Sequence, residues 1–406
     1  MRVALLAQYF EPEPANRIRG IVAGLREAGH DVEVLTALPN WAKGDYYDGY
    51  ERTAVLEERR QGVRVIRTYV WPYHGRSTLR RIANYASFAL SASLFGIARL
   101  SRCDVLYVIH PPLTISLPAW LIATIRGVPF LYDVQDLWPE AGLAAEALRP
   151  GLFYRLLQKW EAWAYRRADH IVVLADDFAR VIEGHGIARE RISVLPNWAD
   201  DQIAAPVSAV GVRARYGIDE RAFVVMYAGN FGQTHGVGYV LHAAALLRDR
   251  HDIVFVFAGS GADYANAVHL SEELALPNAK FWGYFQPPAM PPILAAADVM
   301  IVHLKRSPAG AVSLPQRIVT YMACARPILI ASRGAPRSVV EKAECGIACE
   351  PESAEAIAAA VLRLADAPRE WLAQLGANGR RAYERELRKE VVVPQLVDVV
   401  ERVAAG

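Results

Sequence analysis

A glycine-punctuated turn in the second half of the chain has the residue types and spacing to bind an anion. It follows five apolar residues, 223–227, which predict a buried strand, and its glycines stand at positions 229, 232, 236 and 238. An apolar-periodic helix comes next, so main-chain N–H groups and a helix N-terminus would lie at the carboxyl end of a strand, where an anion is favoured. The spacing matches neither G-x-G-x-x-G nor the G-K-[ST] ending of a phosphate-binding loop. The turn could bind phosphate, or it could be structural only.

A second candidate segment is SPAGAVSLPQRIVTYMACAR, residues 307–326. Its small residues at 308–312 predict a loop, and Pro315 suits the first turn of a helix. Loop amides and the helix dipole would again point toward an anion. Gln316 and Arg317 lie four and three residues before Thr320, so the three side chains can share one helix face.

Polar residues also follow predicted strands of the first half, at the edge where open α/β sheets bind ligands. These residues are Asn16, Arg17, Asn40, His110, Asp136 and Glu140. Asp136 and Glu140 are four apart around a proline, so we do not predict a catalytic carboxylate pair.

The composition limits the class of protein. The chain has 406 residues, 53% of them hydrophobic and 22% charged, which is typical of a folded protein with two domains. A net charge of +2 argues against a dedicated nucleic-acid binder. The four cysteines are too sparse for a disulfide framework, no His or Cys spacing completes a metal site, and no Asp-x-Asp occurs. We therefore expect no metal and a cytoplasmic location.

One uncharged run bears on membrane contact. Residues 82–98 carry no charge, and the segment 76–102 contains five arginines and no acid. Seventeen residues are at the lower limit for crossing a bilayer, and serines dilute them. The segment could lie in a membrane interface at the inner face of the cytoplasmic membrane, pack in the core, or span.

Alternating strand and helix patterns predict the architecture. In the first half, predicted strands cover residues 3–9, 31–37, 63–69, 105–109, 130–133 and 170–174. After a connector near residue 206 the rhythm restarts, with strands at 224–227, 253–258, 279–282, 299–302 and 328–331. This predicts an α/β chain of two Rossmann-like, doubly wound parallel-sheet domains facing across a cleft. The predicted boundaries are 1–195, 196–385, and a C-terminal helix at 386–406 that could pack back on the first domain.

Six segments in order resemble the retaining GT-B glycosyltransferases of the family 4 type, found in bacterial capsule, O-antigen and exopolysaccharide clusters. They are QYFEPE, VQDLWPE, VLPNW, YAGNFG, AADVMIVHL and LPQRIVTYMACAR. The resemblance implies that the second domain binds a nucleotide-sugar, usually a UDP-sugar, and that the first binds a saccharide acceptor, which can be linked to polyprenyl diphosphate. It also implies transfer with retention of configuration and no cofactor, because the nucleotide-sugar is a substrate.

The same resemblance implies roles for individual residues. Arg317 would be the cation at the leaving diphosphate, His110 would lie near the reacting centre, and Asp136 would orient an acceptor hydroxyl or cap a helix. The acceptor-binding residues would be Asn16, Arg17, Asn40 and Glu140, with Arg17 able to reach a phosphate. The residues binding the nucleotide-sugar would be Gly229, Asn230, Gly232, His235, Gly283, Tyr284, Gly310, Ala311, Val312, Gln316 and Thr320.

The chain departs from the family pattern at two positions. Val312 and Thr320 stand where the family has two glutamates, the second of which normally holds the ribose hydroxyls. A neutral hydroxyl binds more weakly than a carboxylate. Two alternatives therefore stay open: a soluble transferase for a small acceptor, and a degenerate subunit that binds the nucleotide-sugar without turnover. A UDP-sugar epimerase is disfavoured by the DLWPE and LPQR segments.

Overall fold

The computed structural model describes residues 1–41, 43–75, 77–144, 148–204, 207–312 and 314–406. The chain divides into two compact units. The first comprises Met1–Pro196 together with Val392–Gly406, and the second comprises Asn197–Val391. Arg76 and Pro206, which the sequence analysis placed in the membrane-interface segment and the connector, lie outside the described residues.

The first unit is built on a mostly parallel sheet. Its described strands have the order β3-β4-β2-β1-β5-β6-β7-β8. In chain order its elements are β1 (Arg2–Leu6), α1 (Asn16–Glu27), β2 (Asp31–Ala37), β3 (Val55–Arg60), β4 (Val63–Thr68), α2 (Thr78–Arg99), β5 (Val105–His110), α3 (Ser116–Arg126), β6 (Phe130–Val134), α4 (Glu140–Ala144), α5 (Leu152–Arg167), β7 (His170–Val173), α6 (Asp176–Glu183) and β8 (Ile192–Val194).

The edge strand β3 departs from the predicted parallel sheet. It runs antiparallel to β4, and a tight turn joins the two. Gln61 and Gly62 in that turn have φ of 49° and 81°, the left-handed pair that two-residue hairpin turns use. The sequence analysis did not predict β3 because most residues of VLEERR are charged. The strand lies half exposed at the edge of the sheet, where charged residues are tolerated.

The second unit also has a parallel sheet, with β9 near its centre. Its described strands have the order β11-β10-β9-β12-β13-β14. Successive strands from β9 to β11 are added toward one edge of the sheet, and those from β12 to β14 are added toward the other edge, so the strand order switches between β9 and β12. Such a switch point is where open α/β sheets bind ligands. Its elements are α7 (Val212–Arg215), β9 (Phe223–Asn230), α8 (Val237–Leu246), β10 (Ile253–Ser260), α9 (Tyr264–Glu273), β11 (Ala279–Gly283), α10 (Met290–Ala295), β12 (Val299–His303), α11 (Pro308–Val312), α12 (Gln316–Ala323), β13 (Ile328–Ala331), α13 (Ala335–Lys342), β14 (Gly346–Cys349), α14 (Ala354–Ala365) and α15 (Arg369–Ala382).

Strand β9 is buried on both faces, as its apolar run predicts. Val224, Met226 and Ala228 enter the core on one side of the sheet. Phe223, Val225 and Tyr227 enter the core on the other side. A strand covered by helices on both faces is therefore held firmly at the start of the glycine turn.

The predicted fold class is confirmed, and several local predictions need correction. The structure adds β3, β8 and β14, which the sequence analysis did not predict. It extends β9 through Asn230, so the turn begins later than expected. The loop predicted at residues 308–312 is wrong, because these residues form the short helix α11.

The last helix, α16 (Lys389–Ala405), packs against the first unit. A Cβ added to Gly24 on α1 would lie 2.0 Å from Cγ1 of Val393, so only glycine permits this approach. His30 lies 2.8 Å from the carboxylate of Glu401. Among the described residues, no helix combines the length and the apolarity needed to cross a membrane.

Candidate functional site

The carboxyl ends of β9 and β10 meet in a closely packed pair of glycines. Gly229 and Gly259 have φ of 134° and 140°, which other residues rarely adopt. A Cβ at Gly259 would lie 1.9 Å from the carbonyl oxygen of Gly229. This packing fixes the main chain of the turn that follows β9, which is the turn predicted to bind an anion.

Arg317 lies in the first turn of α12 and reaches back to the β9 turn. Its Nη2 donates to the carbonyl oxygen of Asn230 at 3.0 Å, and its guanidinium lies 4.8 Å from the ring centroid of Tyr227. Its Nη1 is buried and has no hydrogen-bond partner among the described residues. A buried cation with an unused N–H group is costly unless a further acceptor completes it.

His235 contacts two hydrogen-bond donors although its ring can accept only one bond. The N–H of Gly232 points to Nδ1 at 3.1 Å, and Nη2 of Arg317 lies 3.1 Å from Nε2. Burial and the adjacent guanidinium lower the pKa of His235 to about 3, so the ring is neutral near pH 7. A neutral imidazole has one acceptor nitrogen, so one of the two contacts sets donor against donor. If Nδ1 accepts from Gly232, Nε2 carries the hydrogen. An anion beside Nε2 would then accept from Nε2–H and from Nη2 of Arg317.

Two residues that the sequence analysis did not single out hold this arrangement. Nδ1 of His303 donates to the carbonyl oxygen of His235 at 2.8 Å, while Nε2 of His303 accepts from the N–H of Glu352 at 2.9 Å. The hydroxyl of Tyr321 donates to the carbonyl oxygen of Ala228 at 2.6 Å. His303 ends β12. A polar residue at the carboxyl end of a predicted strand was therefore the sequence signal that could have identified it as part of the site.

The other predicted residues of the second unit lie nearby with different partners. The side-chain amide of Gln316 donates to the carbonyl oxygen of Trp198. Oγ1 of Thr320 donates to the carbonyl oxygen of Gln316 at 3.2 Å, which leaves the Thr320 hydroxyl as a hydrogen-bond acceptor only. The N–H of Gly310 donates to Oγ of Ser307 at 2.9 Å. The shared helix face therefore lacks a carboxylate.

The predicted residues Ala311 and Val312 lie in helix α11, and Ala311 packs against Gly334. A Cβ at Gly334 would lie 2.0 Å from the carbonyl oxygen of Ala311. On the opposite side of β9, Gly283 ends β11 with φ of 74°, and Tyr284 follows it with a mostly exposed ring. Stacking of Tyr284 on a base stays a prediction.

In the first unit, Arg17 does not offer a free cation, contrary to the prediction that it could reach a phosphate. Its Nε donates to Oδ2 of Asp133 at 2.9 Å and its Nη2 donates to Oδ1 at 3.2 Å. The Asp133 carboxylate is fully buried and also accepts from the hydroxyl of Tyr107 at 2.7 Å. This two-point pairing inside the protein satisfies the guanidinium.

Asn40 and Glu140 are likewise engaged with protein groups. Asn40 is 1% exposed, its Nδ2 donates to the carbonyl oxygen of Leu38 at 2.9 Å, and its Oδ1 accepts from Asn84 at 3.1 Å. The structure therefore corrects the prediction that Asn40 contacts an acceptor. Oε1 of Glu140 accepts from Tyr154 at 3.2 Å and from Gln158 at 3.0 Å.

Asn16 begins α1 with an exposed side chain, whose Oδ1 accepts from Arg19 in the next turn. The amide oxygen is therefore engaged within the helix. The contact of Asn16 with an acceptor stays a prediction.

His110 ends β5 inside the protein. It is 1% exposed, and both ring nitrogens lack a hydrogen-bond partner among the described residues. Burial lowers its pKa to about 3, so the ring is neutral. The ring packs 5.5 Å from that of Tyr132, whose buried hydroxyl also lacks a described partner. A catalytic role for His110 would need a rearrangement that exposes one ring nitrogen.

Asp136 lines a cavity of about 430 Å³ in the first unit. Partial burial by the surrounding cavity walls raises the pKa of its carboxyl to about 6, although the residue is exposed to solvent. Helix α4 begins at Glu140, four residues later, so Asp136 is not the residue that caps it. Of the two predicted roles, the position favours contact with a ligand.

No cluster of three or more His, Cys, Asp or Glu side chains within the described part of the chain could hold a metal ion. The chemistry available at the β9 turn is therefore that of main-chain amides, a guanidinium and a neutral imidazole. These groups can stabilise a negative charge that develops on a leaving group.

Two family models match the chain. Residues 14–198 match the glycosyl transferase 4-like domain, and residues 222–367 match the glycosyl transferases group 1. Together they match more than half of the chain. The first covers most of the first unit, and the second covers the β9 turn and α12.

Known proteins resemble the chain over most of its length. WcaI of Escherichia coli strain K12, named as a colanic acid biosynthesis glycosyl transferase, is 26% identical over an alignment of 395 positions that covers 93% of this chain and 93% of its own. The structure of sucrose-phosphate synthase from Thermosynechococcus elongatus covers 100% of this chain and 99% of its own, with a TM-score of 0.76 and 20% identity. Anabaena HepE in complex with UDP-glucose covers 99% of this chain and 100% of its own, with a TM-score of 0.71 and 16% identity.

Proposed function

Because the chain belongs to the GT-B glycosyltransferases of the family 4 type, we propose that it transfers a sugar from a UDP-sugar to a lipid-linked saccharide with retention of configuration. We place this reaction in the biosynthesis of a cell-surface polysaccharide, at the inner face of the cytoplasmic membrane. The second unit would bind the UDP-sugar and the first unit would bind the acceptor.

The incomplete pairing of Arg317 supports this proposal most strongly. Its buried Nη1 lacks a described partner, and its Nη2 faces a ring nitrogen of His235 at 3.1 Å. A diphosphate oxygen beside this pair of nitrogens would accept hydrogen bonds from the guanidinium and from Nε2–H of His235. The adjacent main-chain N–H groups of the β9 turn would add neutral hydrogen bonds. A base alone or a neutral sugar would leave the guanidinium without a counter-charge.

The proposed chemistry uses the same groups. As the bond between the sugar and the diphosphate breaks, negative charge grows on the diphosphate oxygen, and the fixed charge of Arg317 stabilises it. The leaving phosphate would take the proton of the acceptor hydroxyl on the same face of the sugar, which accounts for retention. Asp136 would orient that hydroxyl from the first unit. We assign the charge compensation to Arg317 and propose that no metal is required.

The choice of base and of acceptor rests on the relatives. The HepE structure contains UDP-glucose, and WcaI is named for the biosynthesis of a polysaccharide. Membrane contact is supported by α2, on which Leu79, Leu90 and Leu94 are 80%, 66% and 66% exposed. At 100° per residue these three leucines fall within about 60° of one another around the helix. Such an apolar stripe favours an interfacial position.

A panel of UDP-, GDP-, ADP- and dTDP-sugars tests the proposal by thermal shift. A nucleotide-sugar present at 100 times its Kd should stabilise the protein by about 2.7 kcal/mol. We expect the UDP-sugars alone to give this shift, and UDP release on addition of a lipid-linked saccharide should persist in EDTA. A product with inverted configuration, measured by the anomeric proton coupling, would contradict retention.

A subunit that binds the nucleotide-sugar without turnover is the second candidate. The observation that favours it is the acceptor-only hydroxyl of Thr320, which replaces a carboxylate. Thr320→Glu separates the two candidates, because it restores the carboxylate on the same helix face. If the wild type binds UDP-sugars but releases no UDP with any lipid-linked acceptor, the second candidate is favoured.

A further inference from the structure

The cavity in the first unit has an apolar wall with few charges. Helix α2 contributes Ile82 and Tyr85, helix α5 contributes Phe153 and Leu157, and the segment before α4 contributes Trp138. Its volume of about 430 Å³ is in the range of sites for organic ligands. The charged side chains that line it are Arg81 and Asp136. Neither makes an ion pair with a described residue.

The entrance of this cavity is apolar and exposed. Ile82 and Phe153 line the cavity and are still 41% and 52% exposed. Beside them, Leu79 at the start of α2 and Leu152 and Leu156 at the start of α5 are also strongly exposed. Contiguous exposed apolar groups of this kind are typical of a surface that binds an apolar partner.

The exposed charges of α2 and α5 differ in position. Arg80 of α2 is exposed next to Arg81, which lines the cavity, and it makes no ion pair with a described residue. Arg155 and Lys159 of α5 each follow a cavity-lining residue by two positions, so they lie on the side of α5 away from the cavity. Helix α2 contains no acidic residue, and the single acid of α5, Glu161, is 2% exposed. Arg81 in the cavity wall is therefore the cation that an apolar ligand with a negatively charged headgroup would contact.

We propose that the cavity binds the first part of the hydrocarbon chain of a lipid-phosphate acceptor, with the phosphate at Arg81 and the saccharide end toward Asp136. This inference rests on the proposed function, since it assumes that the acceptor of the transferase is lipid-linked. It assigns to α5 a role that the sequence did not predict. The exposed leucines of α2 and α5 would then contact the surrounding lipid, so that the chain passes from the membrane into the cavity without crossing water.

The test measures the binding of three probes by isothermal titration calorimetry: farnesyl phosphate, farnesol and inorganic phosphate. We expect farnesyl phosphate to bind with saturation, farnesol to bind about tenfold more weakly, and inorganic phosphate to bind weakest, because the cavity contributes apolar burial and Arg81 contributes a charge-assisted bond. Farnesyl phosphate that fails to bind, or binds no better than inorganic phosphate, would overturn the inference.

Variants locate the binding. Ile82→Trp fills the cavity and should weaken both farnesyl probes at least about tenfold, whereas Arg81→Gln should weaken farnesyl phosphate about tenfold and leave farnesol unchanged. Leu246→Trp, at an exposed leucine of the second unit, is the matched control. Phe153→Glu is a second variant at the entrance, for the case that Ile82→Trp misfolds. Unchanged binding in both cavity variants would overturn the assignment.

Binding of UDP to the same samples separates this inference from the proposed function. If the wild type binds UDP-sugars and transfers sugar to a saccharide without lipid, but does not bind farnesyl phosphate, the cavity assignment alone is overturned. If farnesyl phosphate binds and no UDP-sugar does, the proposed function fails and the cavity assignment is supported.

Discussion

Arg17 and Asp133 form a two-point ion pair inside the first unit, with Nε 2.9 Å from Oδ2 and Nη2 3.2 Å from Oδ1. In the second unit, Arg317 makes no ion pair with a described carboxylate, and its buried Nη1 has no described partner. Both arginines are cations near the carboxyl ends of strands. Arg17 is already paired within the fold, whereas Arg317 is available for a ligand. We therefore expect replacement of Arg17 and replacement of Arg317 to have opposite effects on stability and activity.

Arg317→Met should lower kcat/KM by about 10²–10³-fold, because it removes a preorganised charge from the leaving diphosphate. The free energy of unfolding should change by less than about 1 kcal/mol, since the guanidinium is incompletely paired. Steady-state UDP release and urea unfolding measure the two effects. Arg248→Met, at an exposed arginine of the same unit, is the control. Unchanged turnover in Arg317→Met would show that the anion site is misplaced.

Arg17→Met should do the reverse and destabilise the first unit. It leaves the buried carboxylate of Asp133 without its counter-charge, which costs about 3 kcal/mol or more. The remaining hydrogen bond from Tyr107 at 2.7 Å reduces this cost but does not supply a charge. Urea unfolding measures the loss, and Arg17→Met with Asp133→Asn should recover part of it. A variant as stable as the wild type but inactive would instead point to substrate contact.

The pKa of Asp136 near 6 predicts a pH dependence of acceptor use. If the ionised carboxylate orients the acceptor hydroxyl, kcat/KM for the acceptor should rise as the pH passes through about 6 and then level off. Asp136→Asn should be slower and should show no such rise. A wild-type profile that is flat between about pH 5 and 8 would exclude this role.

The same shift gives Asp136 an effect on stability. The folded protein holds this proton to a higher pH than the unfolded chain does, so stability is fully present below the ordinary pKa of the carboxyl and falls as the pH rises through about 6. Because Asp136 is exposed and solvent screens its charge, Asp136→Asn should have only a slightly higher Tm at neutral pH, and the difference should vanish in acid.

Glu161 should also lower the stability of the protein as the pH rises, and by more than Asp136 does. It is 2% exposed, its Oε1 accepts from the hydroxyl of Tyr165 at 2.5 Å, and burial raises its pKa to about 8. Wild-type stability should fall as the pH rises from the ordinary carboxyl pKa toward about 8, because unfolding releases the proton. Glu161→Gln cannot ionise and keeps the acceptor for Tyr165, so it should become the more stable protein by a few kcal/mol near about pH 8.

Chemical unfolding at several pH values tests this prediction, with Glu27→Gln at an exposed site as the control. The difference between Glu161→Gln and the wild type should close in acid, where both side chains are neutral. A difference that stays constant with pH would show that Glu161 is ionised in the folded protein or that the variant acts by packing.

The sequence predicted the sheets of both units because their central strands are apolar runs at the right spacing. Strand β9 and the glycines after it are the best example, since burial on both faces leaves no alternative to a central parallel strand. Strand β3 escaped prediction because an edge strand can be mostly charged. Helix α11 escaped because its small residues have no apolar period.

The functional side chains were predicted less completely, since sequence position does not show which partner a polar group finds. Arg17 and Arg317 look alike in the sequence, and Asp133 sits within the apolar run FLYDV, so its pairing with Arg17 was hidden. His303 and Tyr321 act through the main chain of His235 and Ala228, which no spacing rule reveals. The cavity between α2 and α5 also depends on the packing of helices distant in sequence.

The central claim is that Arg317 binds the diphosphate of the nucleotide-sugar, and competition binding of UDP and uridine to the wild type and Arg317→Met tests it most directly. Uridine lacks the diphosphate, so its affinity should be the same for both proteins. The affinity of UDP should be about tenfold or more lower in Arg317→Met, because a charge-assisted interaction is lost. An equal loss for both ligands, or no loss for UDP, would contradict the claim.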